Sequence, residues 1–175
     1  FWQVHHHAAE TLHQAVRDAL SGLSIDSSAH HLDLYGGVGL FADALGQHFG
    51  QTASMTVVES DPLASGYTAR NLADYSNATA VTEEARAFLR HYRPEGQVGV
   101  VVLDPPRSGA KEEVVKHVSS LSPQAVVYVA CDPVALGRDL RTFREQGYEM
   151  LSVRGFDLFP HTHHMEAVAL LVPHA

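Results

Sequence analysis

Apolar positions along the chain follow two alternating rhythms. Short β-branched or uniformly apolar runs fall at about 30–35, 55–59, 78–81, 98–104, 125–130, 147–154 and 166–172. Between them lie segments whose apolar residues recur with helical spacing, at 8–22, 39–49, 61–74, 83–91, 110–120 and 133–145. In the first of these, Ala8, Leu12, Ala15, Val16, Ala19 and Leu20 share one face before Gly22. Strands alternating with helices predict an α/β sheet covered on both faces. VGVVVLD at 98–104 and AVVYVA at 125–130 are nearly all apolar, as expected of central parallel strands. The last two runs are close enough to pair antiparallel, which gives a seven-stranded, mostly parallel sheet with a terminal antiparallel pair. No repeat, linker or low-complexity tract interrupts the pattern, so residues 1–175 read as a single domain.

Composition narrows the class. With 45% apolar residues the chain is globular, and no apolar run approaches the roughly 18 to 20 residues of a membrane span. FWQVHHHAAETL lacks a secretory pattern, and the lone Cys131 excludes an internal disulfide, so a soluble, cytoplasmic protein is expected. Twelve Lys and Arg against 20 Asp and Glu give a formal charge of −8, which opposes holding a polyanion by bulk attraction. If RNA is the substrate, another domain is expected to supply most of the grip. Phe1 in place of Met suggests a fragment of a longer chain.

In an open α/β sheet, ligands bind at the carboxyl ends of the strands. There, Gly36, Gly37 and Gly39 follow strand one, and Glu59 closes strand two, where it could accept the hydroxyls of a ribose. Gly37-x-Gly39-x-x-Ala42 also satisfies the dinucleotide pattern, so these residues admit either an adenosine-type methyl donor or a nicotinamide cofactor. Asp104-Pro105-Pro106-Arg107 follows the most apolar strand, and its prolines hold Asp104 stiffly at the cleft. Cys131 ends the next strand ahead of a helix opened by Pro133. The positive helix end should favour its thiolate, whereas Asp132 should oppose it as a like charge. Glu166 begins an apolar strand, where partial desolvation would suit a base. His161, His163 and His164 precede it, but no helical i, i+4 pair is expected beside Pro160, and no metal is expected. Arg138, Arg141 and Arg144 read as a solvated helix face that could touch phosphate.

Taken in order, LDLYGGVGLF, VVESDPLASGYTARN, VVLDPPRSG, YVACDPVALGRDL and FDLFPHTHHMEAVALL resemble the bacterial RNA uracil-5-methyltransferases over nearly the whole chain. The resemblance implies a Rossmann-like class I fold, S-adenosyl-L-methionine as cofactor and formation of 5-methyluridine in tRNA or rRNA through a covalent Cys–uracil intermediate. It implies Cys131 as nucleophile, Glu166 as proton-abstracting base and Asp104 as a further catalytic group. Gln3, Tyr35, Glu59 and Asp104 match cofactor-contacting positions, with Glu84 near the adenosine part. The family commonly has Cys at Gly36, a difference expected to be harmless in a tight turn. It also has Asn at Asp132, Asn at His5 and Gln at His161, and an acid at 132 is expected to weaken the nucleophile or alter how uracil is held. The family's amino-terminal RNA-binding barrel has no counterpart here. The other classes left open are a nicotinamide-dependent oxidoreductase and a non-catalytic module that binds S-adenosylmethionine or RNA.

Overall fold

Two strands, β4 (Val98–Leu103) and β5 (Ala125–Ala130), lie wholly buried at the middle of the sheet, as their uninterrupted apolar runs require. The structure is a computed structural model that describes residues 6–159 and 165–174. On one side β4 pairs with β1 (His30–Leu34), followed by β2 (Met55–Glu59) and β3 (Ala78–Thr82), all parallel. On the other, β5 pairs antiparallel with β7 (Glu166–Pro173), which pairs antiparallel with β6 (Tyr148–Phe156) at the edge. The strand order is therefore β3-β2-β1-β4-β5-β7-β6, and the predicted seven strands and antiparallel pair are all present.

Helices cover both faces. Against one pack α1 (Ala8–Leu20), α2 (Leu40–Phe49) and α3 (Pro62–Asn71), through Leu12, Val16, Phe41, Leu45 and Leu72. Against the other pack α4 (Ala85–His91), α5 (Lys111–Ser120) and α6 (Pro133–Glu145), through Phe88, Val115, Val118, Leu136 and Phe143. The expected helix to Asp74 stops at Asn71, because Leu72 drops into the core beside Met55 and Val57 and Asn71 Nδ2 donates to the Val38 carbonyl at 2.9 Å. Among the described residues no helix is long and apolar enough to cross a membrane.

The parallel strands β1, β2, β4 and β5 all deliver their carboxyl ends to one rim of the sheet. Because β7 runs the other way, its first residue, Glu166, arrives at that same rim.

Candidate active site

At the end of β1 the chain leaves the sheet through Tyr35, which sits at φ 64. A bulky residue in the left-handed region is strained, and such strain persists where the surroundings impose it. Gly36 follows because there is no room for anything else: a Cβ there would lie 2.2 Å from Val57 Cγ1. The difference from the family's Cys, expected to be harmless, is thus coupled to Val57, whose side chain fills the space. Gly39, at φ 93, opens α2.

Glu59 holds this turn in place. Its Oε2 accepts the Gly37 N–H at 2.9 Å and its Oε1 accepts the Asp61 N–H at 2.7 Å, tying the end of β2 to the glycine turn and to the start of α3. Asp61 in turn caps α3, accepting from the Leu63 and Ala64 amides with Pro62 in the first turn, as the sequence predicts. Glu84 stands at the start of α4 with its side chain mostly exposed, 3.8 Å from Arg86, near enough to Tyr35 to raise the phenol's proton affinity. Burial is the largest cause and the charge of Asp139 the next, ahead of Glu84, together pushing Tyr35 up to about 12. Gln3 and the His161–His164 block lie outside the described residues.

One residue of this rim escapes sequence reading. Asp33, inside β1, is fully buried, and its Oδ2 accepts the Ala42 N–H in the first turn of α2 at 2.9 Å. Its Oδ1 is buried without a partner, a costly arrangement for a carboxylate. Burial, reinforced by Glu59, raises its pKa to about 7. The signal in the sequence is an acid between the two leucines of β1, which in LDLY passes for ordinary alternation.

The second half of the site forms where β4, β5 and β7 end. Asp104 leaves β4 with its amide donating to the Leu34 carbonyl at 3.3 Å. Burial pushes its carboxyl well above the usual range, and the negative charges of Glu166 and Asp33 push in the same direction. Ala130 of β5 pairs with Ala167 of β7, so the next step of that antiparallel register sets Cys131 opposite Glu166. Glu166 is only 3% exposed, and burial raises its pKa. The half-buried Cys131 thiol is pushed up first by burial, then by Glu166 and Asp104, with Arg107 pulling the other way. Three of the predicted residues therefore interact with one another: a thiol and two carboxylates from three strands.

Asp132 does not act as expected. Its carboxylate turns into α6 as the N-cap and accepts the Ala135 N–H at 2.7 Å, with Pro133 in the first turn. The charges that burden the thiol come from Glu166 and Asp104 instead. Asparagine at this position could cap equally well, so the departure from the family pattern preserves the local structure.

Behind the Pro105–Gly109 loop lies a buried knot that the sequence did not disclose. Asp139 of α6 is inaccessible, and its Oδ2 accepts the Tyr128 hydroxyl at 2.6 Å and the Ala110 and Lys111 amides at 2.7 and 3.3 Å. Arg138 bonds to Asp139 Oδ1 and to the Ser108 carbonyl. A Cβ on Gly109, at φ 76, would lie 2.5 Å from Asp139 Oδ2. The loop that bears Asp104 and Arg107 is thereby fastened to the strand that bears Cys131. Pro106, Arg107, Tyr128 and Cys131 come together around a narrow crevice beside it.

This chain matches known proteins over its full length. The model of the tRNA (uracil-5-)-methyltransferase family matches residues 9–174. An uncharacterized RNA methyltransferase of Streptomyces avermitilis is 43% identical over 175 residues, all of this chain and 40% of that protein. One from Thermotoga maritima is 41% identical over 143 residues, covering 81% of this chain and 31% of its own length. The chain thus spans well under half of these relatives. Among solved structures, the tRNA (uracil-54, C5)-methyltransferase of Pyrococcus abyssi, in complex with S-adenosyl-L-homocysteine, superimposes with a TM-score of 0.76. It shares 28% identity, covering 98% of this chain and 40% of that one. The N-methyltransferase NodS of Bradyrhizobium japonicum, 11% identical with a TM-score of 0.72 over 94% of this chain and 96% of its own, shares the fold. By the family model and these relatives, the chain belongs to the tRNA (uracil-5-)-methyltransferase family.

Proposed function

We propose that this chain is the catalytic domain of an enzyme that uses S-adenosylmethionine to form 5-methyluridine in transfer or ribosomal RNA, in the cytoplasm. The observation that carries the reading is the β5–β7 register that sets Cys131 opposite Glu166, with Asp104 acting on both.

The donor set suits a positively charged cofactor. Asp33, Asp104 and Glu166 are carboxyls made reluctant to ionise by burial, and Asp33 keeps a buried oxygen without a donor at the glycine turn. When bound, S-adenosylmethionine supplies an electrophilic methyl on a cationic sulfur, and its positive charge offsets that of the carboxylates around the thiol. Tyr35, Gly36, Gly37, Gly39, Glu59 and Glu84 would hold it on the β1–β2 side and Asp104 on the β4 side. A nicotinamide dinucleotide fits poorly. Its pyrophosphate needs the free amides of a helix N-terminus, and in α2 the Ala42 amide is already taken by a carboxylate.

Carbon 5 of uracil is a weak nucleophile. After losing its proton to solvent, Cys131 would add to carbon 6, leaving carbon 5 enolate-like. Asp104, whose proton affinity burial raises, can hydrogen-bond the developing oxygen whenever it holds a proton, and the Arg107 cation can stabilise it. Carbon 5 would then take the methyl group, leaving S-adenosylhomocysteine, and Glu166, with its raised proton affinity, would take the proton from the methylated carbon 5 as the sulfur leaves carbon 6. The uridine must be turned out of its stack to reach the rim.

RNA carrying 5-fluorouridine tests the scheme, because fluorine cannot be abstracted as a proton. With S-adenosylmethionine present, the protein should form a covalent RNA complex that survives denaturing gel electrophoresis. Cys131→Ala should abolish it, whereas Glu166→Gln should accumulate a complex even on ordinary uridine. A complex persisting in Cys131→Ala would overturn the proposal.

A further inference from the structure

The rim where the strands end carries opposite charge at its two sides. Around the ends of β2 and β3 stand Glu59, Asp61, Glu83 and Glu84. On the other side, the loop from Asp104 to Lys111 and helix α6 carry Arg107, Lys111, Arg138, Arg141 and Arg144. The acids interspersed there are mostly engaged. Asp132 caps α6 and Asp139 is buried in its knot, on the neighbouring α5 Glu112 holds Lys116 and Glu113 holds Arg86 and Arg90, and Glu145, exposed at the end of α6, lies outside ion-pair distance of these arginines. Among the described residues, no carboxylate lies within ion-pair distance of Arg107, Lys111, Arg141 or Arg144.

On a chain with a formal charge of −8, this is where a polyanion can approach. The helix starts beside Cys131, and Arg138, Arg141 and Arg144 recur along it at every third residue. At 1.5 Å per residue, Arg141 and Arg144 stand roughly 15 and 20 Å along the axis from Cys131, about four to six steps of a helical nucleic-acid strand. Val134, in the first turn, is 82% exposed, an apolar surface beside the mouth where a base could rest. Arg144 also meets the negative end of the helix dipole, but Arg141, a turn earlier, has no such reason to be there.

We infer that the RNA strand flanking the target uridine lies along the exposed face of α6, with its phosphates on Arg141 and Arg144, and that it enters the site from the β5 side. This rests on the proposed RNA reaction and specifies the surface that serves it.

The test compares the protein with Arg141→Glu/Arg144→Glu and with the milder Arg141→Gln/Arg144→Gln. Binding of unfractionated bacterial tRNA is measured across a salt series. Loss of two phosphate contacts should make the slope of log affinity against log salt shallower by about 1.4 to 1.8 and weaken binding at low salt about tenfold or more. S-adenosylmethionine affinity and covalent trapping of a 5-fluorouridine trinucleotide should stay within twofold. Arg70→Glu, an exposed cation in the last turn of α3 on the other face of the sheet from α6, should leave tRNA binding unchanged. An unchanged salt slope in both double variants, or a trinucleotide reaction lost along with tRNA binding, would overturn the inference. If the natural protein traps no trinucleotide yet the slope falls as stated, the RNA track stands and the proposed chemistry fails.

Discussion

Asp33 shows how a single side chain can oppose the fold it belongs to. Its pKa of about 7 in the folded state lies well above the unfolded carboxylate value of about 3.9, so the folded chain holds a proton there that the unfolded chain has released. Stability contributed at this site is intact below about pH 4 and falls as pH climbs to about 7, by on the order of 4 kcal/mol in all. His31, two residues earlier, works in the other direction. Buried and held at about 4, it costs stability as pH falls below about 6.5, so the two slopes oppose each other between about pH 4 and 6.5. Asp33→Asn keeps an oxygen for the Ala42 amide and removes the charge. The variant should therefore tolerate more urea than the natural protein at pH 8, with the gap closing towards pH 4, while binding S-adenosylmethionine at least tenfold more weakly. Equal or lower stability at pH 8 would refute the assignment of strain to this carboxylate. Cys131, Asp104 and Glu166 were legible because each is a polar residue at the end of an apolar run. Asp33 was not, because burial on both faces of β1 depends on helices that the strand does not itself encode.

Among the elements, helix starts were the most readable and strand register the least. Asp61-Pro62 and Asp132-Pro133 both announce a cap followed by a proline first turn, and both caps form. What one sequence position could not convey was the direction of the Asp132 carboxylate, into its helix and not towards the neighbouring sulfur. Asp132→Asn should accordingly leave urea stability within about 0.5 kcal/mol, and Asp132→Ala should lose about 1 kcal/mol. Neither should change the pH at which iodoacetamide begins to alkylate Cys131, because that thiol is raised by burial first and then by Glu166 and Asp104. A clear shift in alkylation for Asp132→Asn would restore the like-charge reading. The β1–β4 irregularity was equally hidden. Between His30 and Leu32 the register slips, and the Val100 amide donates to His31 Nδ1 at 3.1 Å, so a side chain stands in for a missing strand partner.

For the whole molecule, the alternation of strands and helices was enough to give the sheet, its parallel core and its reversed last pair. The site needed more, since Cys131 and Glu166 are brought opposite each other only because β7 inserts between β5 and β6. The Asp139 knot is of the same kind, joining β5, α6 and the start of α5, and nothing local in any of the three announces it. Its purpose can be separated from mere stability by Tyr128→Phe, which deletes one hydroxyl that both donates to Asp139 and accepts from the Ala110 amide at 3.0 Å. Breaking these buried bonds should cost about 1 to 3 kcal/mol of folding stability. If the knot exists to hold Asp104 and Arg107 over Cys131, a slight loosening of the loop should reduce the maximal rate of adduct formation with 5-fluorouridine RNA by about tenfold or more, because rates depend steeply on the position of reacting groups. The RNA concentration for half-maximal rate should move less than threefold, since the arginines of α6 that meet the phosphates stay where they are. A variant that loses stability but keeps its full adduct rate would reduce the knot to structural support.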